Sequence, residues 1–126
     1  MAKARSYVRE IERLRKVCLA LPGATEKLSH GEPTWFAGKV FCMLSNDHHG
    51  DGIVAFWSPA PPGVQEAMIE EDPARFYRPP YVGPKGWLGV RIDVSPDWDE
   101  IAAIVEDGYR LVAPKKLLAQ LDAPDP

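Results

Sequence analysis

The sequence predicts a single α+β domain, a two-layer sandwich with helices on one face of a mostly antiparallel sheet of about five strands. Three observations predict it. Amphipathic helical patterns open and close the chain. Between them run short β-forming segments, each bounded by glycine or proline. The length, 126 residues, suits one domain spanning 1–126. A chain of that size buries roughly two-thirds of its unfolded surface, so it needs neither disulfide nor metal to hold it.

Residues 4–21 read as a helix. Val8, Ile11, Leu14, Cys18 and Leu21 recur at helical spacing and mark its buried face, and Pro22-Gly23 ends it. Arg5, Arg9, Arg13 and Lys16 fall on another face, a solvated stripe with Glu12 and Lys16 paired one turn apart. Strands follow at 24–29, 34–37, 40–44 and 53–57, an antiparallel meander with short turns. The loop 46–52 is polar. Pro59, Pro61 and Pro62 break the chain, and 64–71 reads as a short helix closed by Asp72-Pro73.

Residues 75–93 form a predicted hairpin. In its second strand Leu88, Val90, Ile92 and Val94 point one way, and Trp87, Gly89, Arg91 and Asp93 point the other, so that one face is buried and one wet. Ser95-Pro96-Asp97 starts a helix, with Asp99 and Glu100 in its first turn. Ile101, Ile104, Val105 and Leu111 form its buried stripe. A last short helix runs over 113–121, with 122–126 frayed.

Net charge is −3, with a pI near 5.6. A basic field over the whole molecule, the usual mark of a nucleic-acid binder, is absent. The charge is uneven, though. Lys3, Arg5, Arg9, Arg13, Arg15 and Lys16 crowd the start, while acids gather at 66–72 and 97–107. A continuous basic face requires the first helix on the same side as the 75–93 hairpin. Cys18 and Cys42 sit in apolar runs and read as buried free thiols, which fits a reducing cytoplasm. No apolar run is long enough to span a membrane, so a cytoplasmic location without membrane contact is expected.

Catalytic signatures are missing. The chain has no GxSxG, no P-loop and no GxGxxG before a helix. Gly83-Pro-Lys-Gly86 lacks the helix that a phosphate loop needs, and its proline removes an amide donor. Asp47-His48-His49-Gly50-Asp51 reads as a polar hairpin loop rather than a metal site. Neither an enzyme, a metal nor a cofactor is expected. The 75–93 segment instead has the make-up of a contact surface. Arg75, Arg78, Lys85 and Arg91 can neutralise phosphates, and Tyr81 and Trp87 can stack on bases. The same residues can also simply cover the sheet, aromatic rings packing over it and cationic stems lying along them.

With these residues in view, the chain resembles the MmcQ/YjbR family. The resemblance rests on Leu21-Pro-Gly-Ala-Thr-Glu26, on 33–41 (PTWFAGKVF), on Tyr81 with Gly86-Trp87-Leu-Gly-Val, and on 98–109 followed by 110–117. It covers about 7–118. It implies an α+β fold like that of type III secretion chaperones, and a suggested DNA-binding role through two β-hairpin wings. Here the wings are 34–44 and 75–93. The leading expectation is a non-enzymatic DNA-binding domain contacting phosphates through these hairpins. One rival is a protein- or peptide-binding module, homodimeric or otherwise, that uses the exposed aromatic sheet face. Another is a small-molecule binder with a closed, largely apolar pocket beside Trp87.

Overall fold

The computed structural model describes residues 7–124. Their order is α1 (Val8–Leu19), β1 (Thr25–Ser29), β2 (Glu32–Ala37), β3 (Lys39–Asn46), a 3-10 turn (His48–Gly50), β4 (Val54–Ser58), α2 (Val64–Glu71), β5 (Phe76–Tyr77), a second 3-10 turn (Gly83–Lys85), β6 (Leu88–Arg91), α3 (Trp98–Val112) and α4 (Lys115–Asp122). This is the expected α+β two-layer fold. The sheet has six strands rather than five, in the order β1-β2-β3-β4-β6-β5, and every pairing is antiparallel. No helix among the described residues is long and apolar enough to cross a membrane.

The apolar spacing of α1 buries Leu14 and Cys18 completely. Val8, assigned to that face from the sequence, is 52% exposed instead. It stands at the helix's first residue. The predicted start at 4–6, with Lys3 and Arg5, lies outside the described residues. In α3 the buried face is Ile101, Ile104, Val105, Gly108 and Tyr109. Leu111 is half-exposed, because three turns of 3.6 residues from Ile101 reach Val112 and not 111. Asp97 caps α3, its carboxylate accepting from the Glu100 N–H at 3.2 Å. Asp122, expected to fray, closes α4 and is held by Arg110 at 2.7 Å.

Strand alternation sends Val54, Phe56, Leu88, Val90 and Phe76 toward α1 and α3, where they meet Trp35, Phe41, Cys42, Ile101 and Tyr109 in one core. A bulge serves that core. Trp35 pairs with Cys42 but Phe36 pairs with Val40, so Phe41 is the extra residue, and both Phe41 and Cys42 are fully buried. Both cysteines are free and buried, as expected. Gly108 lets α3 approach closely: a Cβ there would stand 2.3 Å from Ser58 Oγ and 3.0 Å from the Pro59 carbonyl oxygen. The segment joining α1 to β1 is locked from two sides. Tyr109 donates to the Pro22 carbonyl at 2.6 Å, and Glu26 accepts from both the Trp35 indole and the Arg15 guanidinium at 2.8 Å.

The opposite face of the sheet is not wet over its centre. All five residues of β4 are buried. Ala55 and Trp57 point away from the helices, paired across β6 with Arg91 and Gly89. The loop 47–52 and the segment 78–87 stand over Trp57, with the His48 ring against it, and the Tyr77 ring lies over Gly89. This corrects the expectation of a buried and a wet side for the second hairpin strand. The hairpin is also shorter than expected, since β5 contributes only two residues.

Candidate functional site

Those two loops leave a concavity of about 780 Å³ on the outer face of the sheet. Its floor is sheet: Thr34, Met43, Ser45 and Trp57, from three adjacent strands. One wall is Ser29, His30 and Glu32, around the β1–β2 turn, and the other is His48, His49, Tyr81 and Val82. All three histidines of the chain therefore line one cavity.

The second wall is an aromatic stack built across two loops. The His48 ring meets Trp57 edge-on at 5.3 Å between centroids, Tyr81 at 5.8 Å and His49 at 4.1 Å. His49 Nε2 and the Tyr81 hydroxyl lie 3.2 Å apart and join the loops at the rim. His48 Nε2 is buried and has no hydrogen-bond partner. Ser45, 4% exposed, makes no hydrogen bond of normal length. Its polar neighbour is the Tyr77 hydroxyl, which accepts the Trp57 indole N–H at 2.8 Å. Burial pushes the Tyr77 phenol above its ordinary pKa, so it stands there as a neutral hydroxyl. Burial likewise pushes the Glu32 carboxyl up.

The backbone of the rim is held in an uncommon conformation. Five non-glycine residues have positive φ among those described: His30 (53°), Asp47 (56°), His49 (49°), Tyr81 (64°) and Ser95 (40°). Four of the five line the cavity. Such residues cost about 1 kcal/mol or more each, and they cluster where surrounding structure fixes side chains for a purpose. Here Asp47 Oδ1 accepts from the Gly52 N–H at 2.7 Å and Asp51 Oδ1 from the Ile53 N–H at 2.9 Å, which shapes the loop that carries both histidines.

The six residues singled out from the sequence separate into groups. Arg75 is tied to Asp72 at 2.7 Å and to Glu100 at 2.8 Å, with its guanidinium 4.7 Å above the Phe76 ring, so it joins α2, β5 and α3. Arg91 holds Asp93 with two hydrogen bonds of 2.9 and 3.2 Å, and Asp93 also accepts the Val54 N–H. Arg78 and Lys85 are exposed and form no ion pair among the described residues, the Arg78 stem lying over Gly83. Trp87 is half-buried and precedes β6, so it does not share a strand face with Arg91. Tyr81 alone of the six lines the cavity. The sequence reading missed Gln65. Its side chain, 5% exposed, donates to the Gly83 and Trp87 carbonyls and pins the second loop to α2. The cationic face of α1 is exposed on the helix layer, on the other side of the sheet from the cavity, with Arg13 stacked 5.1 Å from the Trp98 ring. Among the described residues, no group of three or more His, Cys, Asp or Glu side chains converges as metal ligands do.

Fold and site together define a small two-layer α+β domain with a cavity on the sheet face away from the helices. The chain belongs to the YjbR family, whose model matches residues 19–111. Among solved structures, it is similar to the Deinococcus radiodurans protein DR2400, which carries a DUF419 domain. That match has a TM-score of 0.70 at 17% identity and covers 91% of this chain and 89% of the other. At that identity the likeness concerns the fold alone. No curated protein matches the chain.

Proposed function

We propose that this protein is a non-enzymatic binding domain whose site is the outer-face cavity, and that it takes a small molecule, or a protruding group of a larger one, with an apolar body. One observation carries the reading: about 780 Å³ of concavity with an aromatic wall, assembled from separate segments and rimmed by four non-glycine residues at positive φ. Ligand sites are of this size and make-up, apolar surface with a few placed polar groups. The pocket stands beside Trp57 rather than Trp87. The test is a titration of aromatic fragments followed by nuclear magnetic resonance of the Trp57 indole N–H. Saturable shifts there, lost on Tyr81→Ala, are the expected result. Shifts confined to other residues refute the site.

A second reading, contact with DNA phosphates, is favoured by Arg78 and Lys85, the two exposed cations of the 75–93 segment that carry no ion pair among the described residues. Support for a broad basic face is weaker, because α1 stands on the other layer and Arg75 and Arg91 are already engaged. Two phosphate contacts give a salt slope of about −2 on duplex DNA, read by fluorescence anisotropy. If Arg78→Ala with Lys85→Ala leaves that slope and affinity unchanged, the contacts lie elsewhere.

A further inference from the structure

The charge of the cavity narrows what it can hold, provided that the cavity is the binding site. Its lining includes Glu32 and Asp47 but no lysine or arginine. Two strand cations on the same sheet face are engaged elsewhere, and Arg78 and Lys85 do not line the cavity. Lys27 extends its ammonium over the Phe36 ring, 5.5 Å from the centroid, and Arg91 is held by Asp93. Glu32 has no ion pair among the described residues. It is partly desolvated all the same, and that burial raises its pKa. Asp47 uses one oxygen on the Gly52 N–H and leaves the other.

Around these acids the wall is apolar and aromatic: Met43, Trp57, Tyr81 and Val82. Aromatic faces attract cations, most of all where water is excluded. An anion would meet two carboxylates with no lysine or arginine in the lining to offset them, and a neutral apolar ligand would leave Glu32 partly buried and uncompensated.

We infer that the cavity binds an organic cation, an ammonium or amidinium group on a flat apolar body, with Glu32 as counter-ion and Trp57 and Tyr81 against the body. The Ser45 hydroxyl, which makes no hydrogen bond of normal length, and His48 Nε2, buried without a partner, then supply directional contacts to the same ligand.

Three probes with one ring system test this: 2-naphthamidine, 2-naphthamide and 2-naphthoate, cationic, neutral and anionic at pH 7. Each is titrated into the full chain while the Trp57 indole N–H and the His48 ring protons are followed. The amidine is expected to bind about tenfold more tightly than the naphthoate, the effect of one partly desolvated charge pair. In Glu32→Gln that preference should shrink to about twofold, since the electrostatic part of the discrimination is removed. Asp47→Asn retains the oxygen that Gly52 reaches and gives an independent, smaller reduction. Equal binding of all three probes overturns the charge assignment and leaves the cavity as a site. Naphthoate binding more tightly than the amidine overturns it too. If none of the three moves either resonance, the cavity reading falls, and this inference falls with it.

Discussion

Replacing Gly89 by alanine tests whether the outer face of the sheet is sealed as described. Gly89 pairs with Tyr77 and Trp57 on its two sides, and the Tyr77 ring lies across it. A methyl carbon at Gly89 would stand 2.7 Å from Cε1 and Cζ of Tyr77 and 2.9 Å from Cε2. Ordinary carbon contacts are about 3.5–4.0 Å, so the ring must lift by roughly 1 Å. Alanine in a strand interior gains about 0.5–1 kcal/mol over glycine through backbone entropy. Against that, lifting the ring breaks the bond from Trp57 to the Tyr77 hydroxyl. An indole N–H in a residue 5% exposed then has no partner. That costs about 1–3 kcal/mol, and the disturbed packing about 1 kcal/mol more. Loss exceeds gain, so destabilisation of about 1–3 kcal/mol is expected, or roughly 4–10 °C in Tm for a domain of this size. Calorimetry gives the number. The Trp57 indole resonance gives the cause, moving to the position of an unbonded N–H. In a Tyr77→Phe background the same replacement should cost less, because the hydrogen bond is already gone. A Gly89→Ala protein with raised Tm and an unmoved Trp57 resonance refutes the reasoning, since only the backbone term would then be at work.

Two further outcomes follow from the helix side. Glu26→Ala leaves the fully buried Trp35 indole without its acceptor and Arg15 without one partner, an expected loss of about 2–3 kcal/mol measured by denaturant titration. The Arg15 hydrogen bond lowers the pKa of Glu26 below its ordinary 4.5, against opposing burial and with help from the Trp35 donor. A carboxylate held low stabilises the fold above its unfolded pKa, and that contribution is lost as pH falls through the folded value. The gap between wild type and Glu26→Gln should therefore narrow as pH drops below 4.5, and a gap that widens there rules the assignment out. Burial, then the hydrogen bond with Cys18, raises the Cys42 thiol well above its ordinary pKa. Neither cysteine should react with a disulfide reagent at pH 8 until denaturant is added, whereas prompt reaction of one thiol in the native protein would contradict its burial.

How much of this was legible depends on where each signal lives. Periodicity and punctuation are local, and they were readable. Gly63 and Asp72 bracket α2 at the expected bounds, and Asp97 caps α3 as its position implies. Gly108 shows the limit. In sequence it interrupts an apolar stripe, and in space it is the point where α3 meets the Ser58 hydroxyl and the Pro59 and Phe41 carbonyls, which only the partners' positions reveal. Cations behave the same way. Arg75 and Arg91 carry the composition of a contact surface, but Glu100 and Asp93 decide their use: alternation puts Arg91 and Asp93 on one strand face, whereas no spacing rule links Arg75 to Glu100. The cavity was least legible, because its lining comes from separate stretches of chain. His30, Asp47 and His49 are of types that tolerate positive φ without requiring it, and nothing in the sequence marks it at Tyr81.

The segment 75–93 then has two roles with different physics. Its strands and Arg75 belong to the scaffold: Phe76 and Val90 enter the core, and Arg75 ties three elements together. Its connecting loop is a cover, fixed at its base by Gln65 and at its tip by Tyr81 against His49. A cover fixed at both ends encloses the space beneath it at little further entropic cost when a ligand arrives, since most of the ordering is already present in the free protein. The aromatic part of the loop is thus accounted for as a roof, and its cations are not. Tyr81 faces the cavity it encloses, and Arg78 and Lys85 remain on the outer surface.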